Sequence, residues 1–162
     1  MPGVNTAKTG SALEPLRDQK TVILTSYRRD GTPVDTPLHI AVEGDRAYVR
    51  TYASALKTKR LRRNPALELW PASNGTTPVL LTLPRPKAAV RTGAGVPGRA
   101  RELDAGEAPR AGHALARKYP VLHGFLIPWM HRHVYKTRTV HFEVTPEGEA
   151  SPRPGRAEAG AP

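Results

Sequence analysis

Residues 21–52 read TVILTSYRRDGTPVDTPLHIAVEGDRAYVRTY, and this run decides the fold. Thr21–Tyr27 is β-branched and apolar, which suits a strand. Asp30-Gly31 is a hairpin turn signal, because glycine takes the positive φ that such turns need. Val34–Val42 then predicts a second strand, Glu43-Gly44-Asp45 a second turn, and Arg46–Tyr52 a third strand in which Ala47, Val49 and Thr51 alternate with charged or aromatic neighbours. Three strands in tight succession make an antiparallel meander.

Outward from the meander, ASALKTKRLRRNP (53–65) follows as a basic helix. Ser54 is the expected N-cap, and Asn64-Pro65 the stop, since a residue before proline is pushed out of the α region. Ala66–Trp70 predicts a short strand, as do 79–83 (VLLTL) and 88–92 (AAVRT). Val90–Leu103 reads as a long strand broken at Pro97-Gly98. A helix is expected over Ala105–Tyr119 with Asp104 as cap, a loop with a short helix over 123–136, and a last strand over Thr137–Val144. Residues 1–12 and 147–162 are rich in Pro, Gly, Ala and Ser and predict flexible tails. Between them, 13–146 predicts one mainly β (α+β) domain, a small antiparallel barrel of six or more strands.

The chain has 162 residues, no cysteine and a formal net charge of +11. Lack of cysteine excludes a disulfide framework and suits a reducing cytoplasm. No apolar stretch approaches the ~20 residues that span a membrane, and no apolar signal region opens the chain, so a cytoplasmic location is expected. The charge favours an anionic partner. A non-catalytic nucleic-acid-binding module is one such reading. The few aromatics (two Trp, two Phe, five Tyr) do not interleave with the basic run as a single-strand platform requires, so nucleic acid is disfavoured.

On a helical wheel with Ala53 at zero, Leu56 and Leu61 bound an arc that should face the protein. Lys57 and Arg60 fall inside that arc; Thr58, Lys59, Arg62 and Arg63 fall outside it and are expected to be solvated. A cation in the first turn is disfavoured by the helix dipole. Free amides, the Ser54 hydroxyl and an inward ammonium together suit a phosphate.

The order strand–DGTP–strand, then KTKRLRRNP, then ALARKYP (114–120) ahead of a last strand resembles the pyridoxamine 5′-phosphate oxidase-like superfamily. The closest likeness is to its class of enzymes that use the deazaflavin coenzyme F420. The resemblance covers roughly residues 12–146. It implies a homodimer of six-stranded split β-barrels, with cofactor sites at the subunit interface. The family's phosphate-binding helix matches Lys57 with Ser54, and Lys59 or Arg60 close by. Its ring-binding strands match Thr36, Pro37, Leu38, Arg50 and Thr51. The implied activity is hydride transfer from reduced F420 to a small unsaturated organic substrate. FMN-dependent oxidation or reduction and haem or tetrapyrrole binding are alternatives within the fold. Residues 73–95 are longer and more apolar than the turn expected there.

His39, beside Pro37, is a candidate proton donor. His131 and His133 share a face if extended, but no acidic residue accompanies them, so no metal site is expected. His113, His123 and His141 read as structural or surface residues. Trp129 suits either a cofactor ring or a dimer contact, and Tyr119 and Tyr135 are equally open. Gly93, Gly95 and Gly98 have dinucleotide-loop spacing without the helix that should follow.

Overall fold

The structure, a computed structural model, describes residues 10–73, 89–133 and 138–148, with the side chains of residues 131 and 132 outside the description. Among the described residues, seven strands form one antiparallel sheet: β1 (Val22–Tyr27), β2 (Pro33–Leu38), β3 (Ile40–Glu43), β4 (Arg46–Tyr52), β5 (Ala66–Pro71), β6 (Val96–Glu102) and β7 (Thr139–Pro146). Their order is β2-β1-β5-β6-β7-β4-β3. The edge strands β2 and β3 are neighbours in the chain, with only His39 between them. A sheet whose two edges are joined by one residue must curl until those edges meet. They meet at His39 without pairing to each other, so the barrel is split. The expected second strand over 34–42 is therefore two strands bent at His39, and the six-strand count becomes seven.

The meander follows its turn chemistry. Gly31 takes φ 85° and Gly44 φ 60°, and the Asp30 carboxylate accepts from the Thr32 N–H at 2.9 Å. Along β4, Ala47 and Val49 join the interior core with Val22, Leu24, Leu69 and Phe142. Tyr48 instead packs outward with Ala41 against Ala111, Ala114 and Leu115. Period-two alternation thus separates two apolar layers. Leu13 and Leu16, on a 3₁₀ turn at Glu14–Leu16, are also in the interior core. Each such leucine contributes about 1.5–3 kcal/mol by leaving water. Of the tails expected over 1–12 and 147–162, residues 1–9 and 149–162 lie outside the described residues.

Among the described residues there are three helices, α1 (Leu56–Arg63), α2 (Ala108–Lys118) and α3 (Ile127–His133), the last entered through a π-helical turn at Leu122–Leu126. α2 starts three residues later than expected. Asp104 Oδ1 accepts from the amides of Gly106 and Glu107 at 2.8 and 2.9 Å, which holds a turn ahead of the helix. β6 runs through Pro97-Gly98 unbroken, contrary to expectation, with Glu68 opposite Pro97 and Leu67 opposite Gly98. The strand expected at 88–92 is, over its described part, only an isolated bridge between Ala72 and Arg91. The strand expected at 79–83 lies outside the described residues. No helix among the described residues is long and apolar enough to cross a membrane.

Candidate functional site

The basic run folds as α1, but one residue later than its sequence suggests. Ala55 is the N-cap (φ −64°, ψ 143°) and provides no side-chain cap, while Ser54 is exposed. The Ser54 cap is thus corrected. The first intrahelical bond runs from the Lys59 N–H to the Ala55 carbonyl at 3.1 Å, so the amides of Leu56, Lys57 and Thr58 precede it as unbonded helix-start donors.

The helix also turns a different face to the barrel. Leu56 is 70 % exposed, whereas Thr58 is fully buried and Leu61 nearly so. The buried face is centred between Thr58 and Leu61, not between the two leucines. The reason is a hydrogen bond. Thr58 Oγ1 donates to the Tyr52 carbonyl at 2.6 Å and lies 3.2 Å from Thr51 Oγ1. Two satisfied hydroxyls make a buried polar contact that orients α1 on the end of β4.

That rotation sorts the five cations of the run. Arg62 clamps Glu102 with two bonds of 2.7 Å, and Arg63 donates to the Tyr27 carbonyl at 3.2 Å. Arg60 Nε donates to the buried Ser26 hydroxyl at 2.8 Å. Lys59 is exposed. Lys57 is half-buried at the flank of the inward face, and no carboxylate pairs with it among the described residues. Burial pushes its pKa down, and the Arg60 charge pushes it further. Arg60 is itself depressed by burial and then by Arg28 and Arg63. Four cations crowd this end of the barrel.

The other expected site residues divide by face. Leu38 is in the core, Thr36 is half-buried opposite Leu24, and Pro37 is exposed on the other side of β2. Thr51 points to the α1 side and is held by Thr58, whereas its neighbour Arg50 projects from the opposite face of β4. Lys57, Arg60 and Thr51 therefore gather at one barrel end, and Arg50 stands apart from them.

His39 occupies the β2–β3 bend. Its ring stacks on Tyr119 with centroids 4.8 Å apart, and its Nδ1 lies 3.4 Å from His123 Nε2. Burial and then the Lys118 charge lower its pKa, so it is a neutral ring at neutral pH. The Tyr119 hydroxyl lies 2.9 Å from the Lys20 carbonyl and is pushed up to about 12 by burial, so it stays protonated. Trp129 is half exposed beside His133, their centroids 5.5 Å apart. The side chain of His131, and Tyr135, lie outside the described residues.

Sequence reasoning missed the partners of Arg50. His141 faces it across the β4–β7 pair, and His123 adds a carbonyl from the π-helical turn. The signal exists only once the strand register is known, because these residues are far apart in the chain.

No family model and no curated protein matches this chain. Solved structures do. An FAD-binding protein from Mesorhizobium loti superposes with TM-score 0.54 at 22 % identity, over 85 % of this chain and 88 % of its own. A protein described as a pyridoxamine 5′-phosphate oxidase, from Listeria innocua, gives TM-score 0.51 at 17 % identity over 82 % and 87 %. The fold is the pyridoxamine 5′-phosphate oxidase-like split barrel. The haem storage protein HutZ from Vibrio cholerae is also similar to this split barrel, with TM-score 0.57 at 17 % identity over 83 % and 90 %. At these identities the likeness is one of fold.

Proposed function

We propose that this split barrel is an oxidoreductase that binds a phosphate-bearing, flavin-type cofactor at the start of α1. The observation that carries the reading is Lys57. A half-buried ammonium without a carboxylate partner among the described residues, at the positive end of a helix that lacks a side-chain cap, is unfavourable unless an anion joins it. A phosphate there would accept from the amides of Leu56, Lys57 and Thr58 and from the Lys57 ammonium. The residues present therefore fit such a group.

Reduced coenzyme F420 is the favoured cofactor, with a small unsaturated organic substrate as hydride acceptor. Exposed Arg28, Arg29 and Lys59 near the same barrel end suit a ligand with further negative charge, which F420 carries in its polyglutamate tail. Bound there, the deazaflavin would supply the hydride chemistry; the chain would hold its phosphate and keep charge balanced around it. FMN is the alternative flavin. Exposed Leu56, Phe125 and Trp129 support a homodimer whose contact covers apolar surface.

The test is the absorbance spectrum and melting temperature of the protein with F420, FMN, haem or an oligonucleotide. Saturable stabilisation by F420, weakened in Lys57→Ala, is the expected result. Stabilisation by haem alone, or salt-sensitive binding of the oligonucleotide alone, would replace this reading with a haem-binding or nucleic-acid-binding one.

A further inference from the structure

Arg50 stands directly opposite His141 in the β4–β7 register. Its Nε donates to His141 Nε2 at 3.1 Å, and its Nη1 donates to the His123 carbonyl at 3.3 Å. A ring nitrogen that accepts carries no proton, so His141 is neutral here. Burial and then the Arg50 charge push His141 down to about 4, and burial, Arg50, His39 and His141 do the same for His123. The guanidinium is thus met only by dipoles. Among the described residues no carboxylate pairs with it, and no acceptor meets its Nη2. Burial also lowers its own pKa. A desolvated cation without a counter-charge is a standing cost.

The same guanidinium forms the polar end of a cleft of about 390 Å³ between this sheet face, α2 and the π-helical turn. The cleft is large enough for a small ligand. Its α2 wall includes Ala108, Gly112 and Ala116, four residues apart and so on one helix face, with Pro109 and His113 beside them. At Gly112 a Cβ would stand 3.4 Å from Arg50 Nη2, so glycine leaves the free side of the guanidinium open. His123 lines the cleft too. It is 5 % exposed, and its Nδ1 is buried without a partner among the described residues.

We propose that this cleft binds a small organic monocarboxylate, its carboxylate on the Arg50 guanidinium and its apolar body along Ala108, Gly112 and Ala116. Planar guanidinium and carboxylate match in shape and donor spacing. The fixed positive charge of Arg50, beside neutral His123 and His141, balances one negative charge, whereas a phosphate dianion would bring a second, unmatched one. The site lies on the opposite face of β4 from the Thr51–Thr58 contact, so it does not rest on the cofactor reading.

Calorimetric titration with benzoate at neutral pH tests it, with benzamide and inorganic phosphate as comparison ligands. Saturable benzoate binding is expected, with both comparison ligands at least about tenfold weaker. Arg50→Gln should weaken benzoate by at least about tenfold, and Gly112→Val, which fills the furrow but keeps the guanidinium, should do likewise. Lys57→Ala should bind benzoate as the parent does. Ring-proton NMR shifts of His123 and His141 on adding benzoate would locate the ligand even if one variant folds poorly. Absence of saturable binding, undiminished affinity in both cleft variants, or ring signals that do not move would overturn the proposal. Phosphate binding as tightly as benzoate would overturn the monocarboxylate assignment, and loss of benzoate binding in Lys57→Ala would overturn the separate site.

Discussion

The Thr58 hydroxyl donates to the carbonyl of Tyr52 at 2.6 Å, and this bond sets which face of α1 meets the barrel. It is short-range in sequence, yet it fixes where Lys57 stands. Thr58→Val keeps shape and volume but takes one donor from the Tyr52 carbonyl, which keeps the Ala55 N–H, and removes the buried Thr51 hydroxyl's contact with Thr58. Stability should fall by about 1–3 kcal/mol, read as a lower urea midpoint at unchanged slope. An unchanged midpoint would mean that packing of Leu61 alone orients the helix.

Lys57 should behave oppositely in stability and in binding. Replacing it by methionine removes a half-buried cation that lacks a carboxylate partner, so the ligand-free protein should be at least as stable as the parent. Affinity for F420 or FMN should drop by about tenfold or more. The sign of the pH effect follows from its lowered pKa. Between that folded value and the ordinary lysine value of 10.5, the unfolded chain holds the proton more tightly. Stability therefore rises with pH in that window, and Lys57→Met should flatten the rise. A variant less stable than the parent, with the slope retained, would give Lys57 a structural role instead.

The meander was legible because hydrophobic period and turn residues agree there: Asp30-Gly31 and Glu43-Gly44-Asp45 turn where they should, and Arg46–Tyr52 is a strand to the residue. The bend at His39 was not, since 34–42 is continuously strand-like and only closure of the sheet demands a break. The basic helix was legible as an element and not as a surface. Its wheel was anchored on Leu56 and Leu61, yet Leu56 lies in the first turn and points to solvent. Thr58 reads as polar and turns out buried because its hydroxyl finds two partners. The same wheel put Lys57 inside the leucine arc, and the residue stands half-buried at the flank of the inward face. Arg50, His123 and His141 come from three elements, and no spacing in the sequence joins them.

His123 and His141 predict an acid-sensitive fold. Both are held near 4, while an unfolded histidine keeps its ordinary 6.5. Between those values the unfolded chain binds more protons, so stability is lost as pH falls from about 6.5 toward 4. His141→Gln can still accept from Arg50 Nε through its amide oxygen but cannot take up a proton. Its urea midpoint should change less between pH 7 and pH 5 than the parent's. Parallel losses in the two proteins would show that other groups govern the acid limb.

Gly98 lies inside β6, where a glycine ordinarily weakens a strand, and Pro97-Gly98 looked like a break for that reason. The structure supplies the compensation. A Cβ at Gly98 would stand 2.9 Å from the Thr145 carbonyl oxygen and 3.2 Å from Val144 Cγ1. Both belong to β7, whose backbone approaches β6 closely at Gly98 and Pro146. The first clash is with backbone, which cannot swing aside as a side chain can. Gly98→Ala should therefore push β6 and β7 apart and cost about 1–3 kcal/mol, despite alanine's lower conformational entropy in the unfolded chain. Thermal unfolding provides the measurement. A raised melting temperature would mean that the unfolded-state gain outweighs the clash, and that the β6–β7 contact yields.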